Sequence, residues 1–249
     1  MTSFNGDDLR RAEFRDVDLS GGRFVGSDLS GVVMRGVVVE AMEIDAPWLS
    51  EGSTYLRVNG VDVIPLVEAE LDRRFPGRAL RRANDPDGLR AAWAALEAAW
   101  DAVLARAAGL PAGTLDVSVA GEWSFTQTVR HVVLATDIWL GKAVLGLARP
   151  FHPLGLVDAS AEAEGFDMSV FAAEEPSYDE VLAARESRVA LVRGFLADVT
   201  PELLAEPRPN PHDPRHSETV AACVRVVLDE SWEHLRYAVR DLDVLAGPA

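Results

Sequence analysis

Cysteine is all but missing. The single residue, Cys223, excludes an internal disulfide framework and suits a reducing cytoplasm, the expected compartment. Long apolar runs are missing too: none reaches the ~18 residues that a bilayer span requires. The opening residues, Met1-Thr2-Ser3-Phe4-Asn5-Gly6-Asp7-Asp8, lack the basic and apolar regions of a signal peptide, so no membrane partner is expected. Positive charge is scarce as well. Lys plus Arg total 24 against 40 Asp plus Glu, a net charge of −16. Such a surface repels phosphate backbones, and no basic patch is large enough to reverse that, so nucleic acid is excluded as a partner. What remains is a globular chain. Its 249 residues, 48% of them hydrophobic, suffice for one large domain or two small ones.

The N-terminal segment repeats. Phe4, Leu9, Phe14, Leu19, Phe24, Leu29, Met34, Val39 and Ile44 fall at strict five-residue intervals. Two positions before most of them sits a small or apolar residue: Ala12, Val17, Gly22, Ser27, Val32, Val37. A period of five fits neither helix nor strand, so a repeat architecture comes first. The segment resembles the pentapeptide-repeat family, whose chains wind into a right-handed, four-sided β-helix with these apolar residues stacked inside. With coils a strand spacing of ~4.8 Å apart, so short a segment makes a stub. It suits a cap or a docking surface, with no chemistry of its own.

Past the repeats, Leu56-Arg57-Val58-Asn59-Gly60-Val61-Asp62-Val63 carries an Asn-Gly turn between short alternating stretches, a hairpin signal. A short helix is expected over 65–75, ended by Pro76-Gly77. Four amphipathic helices follow. The first covers about 86–108; the second begins at Ser124, which has capping-box spacing to Gln127, and runs to about Leu147. The third begins at Ser177 with Glu180 as its box partner and runs to Thr200-Pro201. The fourth follows a proline-rich loop over 206–215, with Ser217 as its expected N-cap and an apolar stripe of Val220, Val224, Val227, Ser231, Leu235, Ala238, Leu242 and Leu245. Four such helices with two long loops describe a bundle whose site lies between facing helices.

On the fourth helix Glu230 and His234 stand four residues apart, one above the other on one face. A carboxylate and an imidazole so placed can chelate a divalent cation, although most such pairs bind nothing. A third ligand must come from elsewhere. His131, in the second helix, is a candidate, although taken alone it reads more readily as a surface or hydrogen-bonded core histidine. The segments around these residues are more specific. Glu122-Trp123-Ser124 leading to Arg130-His131 and then Thr136-Asp137-Ile138-Trp139-Leu140 resembles the second helix of the DinB-like superfamily. Glu230-Ser231-Trp232-Glu233-His234-Leu235-Arg236-Tyr237 resembles its fourth. Members are four-helix bundles holding a divalent metal between helices. They include mycothiol- or bacillithiol-dependent thiol S-transferases and the mycothiol-dependent maleylpyruvate isomerases. The resemblance spans about residues 85–247 and implies His131, Glu230 and His234 as the metal ligands, the Glu-x-x-x-His order being that of the isomerase branch.

The expected architecture is therefore α+β in two parts. A short right-handed pentapeptide β-helix covers 1–46, a hairpin and short-helix linker 47–84, and a mostly α DinB-like four-helix bundle 85–249. Its implied cofactor is a divalent metal ion, zinc by default for this donor set with nickel or another ion as alternatives. A low-molecular-weight thiol is the implied cosubstrate. The implied activity is metal-dependent activation of that thiol, mycothiol-like, for transfer to a small electrophile or for its isomerisation. Two other readings compete: a non-catalytic scaffold docking a partner through the repeats, and a metal-dependent hydrolase or biosynthetic enzyme on the same bundle. A protein partner or a homodimer is compatible with each. The other residues have plain readings. Cys223 is a small buried hydrophobe, Trp93, Trp100, Trp139 and Trp232 are core, and Arg236, Arg240 and Asp241 pair on the surface. His152, His212 and His216 lie in solvated loops, His152 placed where it could approach the metal.

Overall fold

The computed structural model describes residues 3–247 apart from 7, 53, 158–160, 163, 164 and 173. The chain separates into two compact units, Met1–Asp45 and Ala46–Ala249.

In the first unit the sequence period is a structural period. The backbone takes positive φ at Gly6, Arg11, Asp16, Gly21, Gly26, Gly31, Gly36 and Ala41, each two residues beyond an apolar pentad position. Every pentad thus ends in a corner. The Asp-Leu-Ser pattern helps to shape these corners, since Asp18 and Asp28 accept hydrogen bonds from the backbone N–H of Ser20 and Ser30. The stacked interior expected of a β-helix is not formed among the described residues. No strand occurs there, and the pentad side chains stay open, Phe4 at 63% and Leu9 at 45% exposure. The reason is length. At four pentads per coil the segment supplies only about two coils, and a repeat buries its face only between neighbours on both sides.

The second unit opens with a hairpin, β1 (Arg57–Val58) against β2 (Val61–Asp62). Asn59 and Gly60 both take positive φ between them, as a two-residue turn of matching twist requires. Helix α1 (Ile64–Arg74) starts with a proline in its first turn. A 3-10 turn, Arg78–Arg82, links it to α2 (Pro86–Ala107), which Asp85 caps by accepting from the Gly88 N–H. The capping boxes of Ser124 with Gln127 and Ser177 with Glu180 are both present, and they open α3 (Phe125–Thr136) and α4 (Tyr178–Asp198). A short α5 (Pro201–Ala205) follows.

Two expectations need correction. Ser217 is not the N-cap of the last helix, α6 (Val220–Leu245). It lies in β4 (Ser217–Thr219), paired antiparallel with β3 (Pro207–Pro209), and the cap is Thr219, whose hydroxyl accepts from the Ala222 N–H. Helix α3 also stops short of Leu147: past Thr136 it widens into a π-helical stretch, Asp137–Val144. There the Thr136 hydroxyl donates to the Val132 carbonyl and competes with the helical ladder. Just beyond, the fully buried Asp137 is pinned by Arg188 at 2.6 Å and by the His152 N–H at 2.7 Å.

Helices α2 and α3 each pack on both α4 and α6, which sets α2 diagonal to α3 in a four-helix bundle. The core is aromatic and aliphatic, with Trp100, Trp232, Phe125, Leu89, Leu96, Leu228 and Leu235 fully buried. Trp100 also donates its indole N–H to the Ser231 carbonyl across the α2–α6 contact. No described helix is long and apolar enough to cross a membrane.

Candidate metal centre

Helix α3 carries His131 on its second turn, and α6 carries Glu230 and His234 one turn apart. Because α3 and α6 are adjacent in the bundle, the three meet. His234 Nε2 lies 3.2 Å and His131 Nε2 3.8 Å from the same carboxylate oxygen, Glu230 Oε2. One donor atom from each residue lies within 4.8 Å of the others, so a single cation can reach all three. The structure thus brings together all three of the residues singled out in the sequence.

The electrostatics suit a cation. Burial pushes the Glu230 carboxyl up. The hydrogen bond and charge of His234 outweigh it, helped by His131 and His212, and hold the group below the usual carboxylate range. The acceptor is therefore ionised at neutral pH. Access is limited but real: the side chains of His131, Glu230 and His234 are 18%, 16% and 10% exposed. The three donors are thus partly open to solvent.

Packing holds the rings. The Trp123 indole lies 4.7 Å from the His131 ring and 6.1 Å from the His234 ring, nearly parallel to the latter. Tyr237 meets His234 edge-on at 5.6 Å. A metal-binding histidine usually fixes its ring by donating its second N–H to an outer acceptor. Nδ1 of His234 is buried without a hydrogen-bond partner among the described residues, so an aromatic clamp takes over that task. Two imidazole nitrogens and one carboxylate oxygen form a set that fits zinc or a similar divalent ion and leaves coordination positions open.

The remaining sequence readings sort as follows. Cys223 is fully buried, and burial pushes its thiol up to about 11, so it is inert packing. Trp93, Trp100 and Trp232 are core. Trp139 is only half-buried, and its outer face carries the His212 ring at 5.6 Å. His212 is otherwise exposed in its loop. His152 is fixed within its own loop, its N–H donating to Asp137 and its Nδ1 accepting from the Leu154 N–H. His216 pairs with Asp213 at 3.0 Å. Arg240 pairs with Asp241 and Arg236 with Glu233, and both guanidinium groups also lie over the Tyr237 ring.

Two contributors were not legible. Trp123 was only part of a pattern, since nothing in its spacing shows that the residue before an N-cap folds back over a histidine two turns on. Glu51 comes from the segment ahead of the bundle. Burial, with Asp229 and Glu230 nearby, raises its carboxyl above the ordinary range.

A family model described as the DinB superfamily matches residues 95–238, the stretch containing all three donors, and a pentapeptide-repeat model matches residues 2–36 in eight copies. No curated protein and no solved structure matches the chain. With the larger match covering more than half its length, the chain belongs to the DinB superfamily and carries pentapeptide repeats ahead of that domain.

Proposed function

We propose that this protein is a metal-dependent enzyme that activates a low-molecular-weight thiol, mycothiol-like, for transfer to a small electrophile or for its isomerisation. One observation carries the reading: two imidazoles and one ionised carboxylate converge on a partly open point between α3 and α6. A divalent ion held there, zinc by default, would supply a Lewis acid that lowers the pKa of a thiol from its usual ~8.5, so that thiolate is available at neutral pH. The chain's own residues do the rest. Glu230 balances charge, and the two histidines offer neutral nitrogen donors. Trp123 and Tyr237 keep both rings in place and present an apolar wall to whatever enters. The thiol chemistry assumes a reducing, cytoplasmic setting. The N-terminal pentapeptide repeats enter only as a cap.

The test is elemental analysis of purified full-length protein, followed by activity on a generic electrophile with mycothiol, bacillithiol, glutathione and coenzyme A in parallel. Stoichiometric metal and activity with one thiol support the proposal. No metal above trace after reconstitution refutes it, and metal without activity on any thiol moves the site to hydrolytic or biosynthetic chemistry.

A further inference from the structure

The segment between the repeats and the bundle looks like a connector in the sequence, yet it delivers two arginines to the helix that carries two of the three donors. Arg78 is 3% exposed and touches three carboxylates. It reaches Glu68 at 3.0 Å, Asp72 at 2.9 Å and, across 155 residues of chain, Glu233 at 3.4 Å. Arg81 bridges Glu68 at 2.8 Å and Asp229. Asp229 and Glu233 each precede a candidate ligand, Glu230 and His234, by one residue. On an α-helix that is a rotation of ~100°, so the two pairs occupy neighbouring faces of the same turn. Whatever fixes 229 and 233 fixes the rotation of the turn that aims 230 and 234.

We propose that Arg78, seconded by Arg81, is a positioning residue for the metal centre, holding α6 at the rotation that brings Glu230 and His234 onto His131. Two physical facts favour this over simple stabilisation. A buried ion pair recovers little net stability, because desolvation offsets the attraction. A guanidinium fork, by contrast, is geometrically exacting and holds its partners in one arrangement. The segment is itself anchored where it must be. Gly77 takes φ +92°, and a Cβ there would lie 2.7 Å from Ala95 Cβ on α2, so only glycine lets the Arg78–Arg82 turn dock this closely. The turn packs on both α2 and α6, and Arg78, Arg81, Glu68 and Asp72 lie ahead of the 95–238 family match, whereas Asp229 and Glu233 lie within it.

This inference rests on the proposed metal centre, and its test separates the two. Full-length protein, Arg78→Met, Arg78→Lys and Glu233→Gln are stripped of metal and titrated with Co²⁺. The visible d–d spectrum is followed, and melting is measured separately in EDTA. The expected result is Co²⁺ affinity about tenfold weaker in Arg78→Met, the lower end for an outer-sphere change, with an altered d–d band. Arg78→Lys keeps the charge but loses the fork and recovers only part of the affinity; Glu233→Gln weakens binding less than Arg78→Met. If Arg78→Met does not fold, Glu233→Gln decides the matter by the same spectrum. Unchanged affinity and spectrum in the folded variant overturn the clamp and leave the metal centre standing. Absence of Co²⁺ binding by the unaltered protein overturns both.

Discussion

Replacing Glu230 by glutamine tests the donor set with the least disturbance of shape. The amide keeps the volume of the carboxylate and can still accept from His234, whose Nε2 lies 3.2 Å away, but it loses the charge that attracts the cation. The magnitude follows from ligand count. Four-ligand structural zinc sites have apparent binding free energies of ~10–16 kcal/mol, about 2.5–4 kcal/mol per ligand. Loss of one should weaken binding about 10²–10³-fold. The effect is measurable as lost stabilisation. At a metal concentration of ~100 Kd the unaltered protein gains about 2.7 kcal/mol, whereas a variant bound 100-fold more weakly gains only ~0.4 kcal/mol. For a domain of this size that is a rise in Tm of about 5–10 °C against about 1 °C. The assay is differential scanning calorimetry of metal-free protein with and without added Zn²⁺, and His216→Ala, exposed and paired with Asp213, serves as the control that keeps the full rise. An equal rise in Glu230→Gln and the unaltered protein would show that the ion binds elsewhere, and the argument from these three side chains would fail.

Three further outcomes follow from the same structure. Cys223, with its thiol pushed up to about 11 by burial, should resist Ellman's reagent in the native protein and react fully only in denaturant; rapid native reaction would place it at the surface. Glu68 is held down from 4.5 to about 2 by Arg78 and Arg81, against the penalty of its burial. Its depressed folded value means a contribution present above pH 4.5 and lost as the pH falls towards 2, on the order of 3 kcal/mol at most. Urea unfolding across that window should lose stability more steeply in the unaltered protein than in Glu68→Gln, and parallel curves would contradict the assignment. Gly77→Ala should cost about 2–3 kcal/mol through the left-handed backbone and the contact with Ala95, seen as a Tm lowered by about 5 °C or more; an unchanged Tm would mean that the turn relaxes freely.

What the sequence revealed and what it hid divide along the range of the forces involved. Capping boxes at Ser124 and Ser177, the Asn59-Gly60 turn and the apolar stripe of α6 are local rules. They were legible because the residues that decide them lie within one turn or one period of each other. The donor set was half legible for the same reason: Glu230 and His234 share a face by arithmetic, whereas His131 needed a family pattern to join them. The misread features are contests between local and distant terms. Ser217 has the chemistry of a cap, but the pairing of Ser217–Thr219 with Pro207–Pro209 draws it into a ladder and moves the helix start to Thr219. The straight run of α3 yields at Asp137, which satisfies its buried charge with Arg188, 51 residues away, and no periodicity could announce that. Arg78 is the extreme case. Its three carboxylate partners lie on α1 and α6, and nothing in their spacing links them. A charged residue in a connector reads as solvated until the fold shows it buried, yet burial of an arginine is tolerable only when its partners are already fixed in place. The dependence runs both ways: the same partners that make Arg78 tolerable are the ones whose positions Arg78 determines, which is why a stretch without chemistry of its own can govern how well the donors on α6 meet the one on α3.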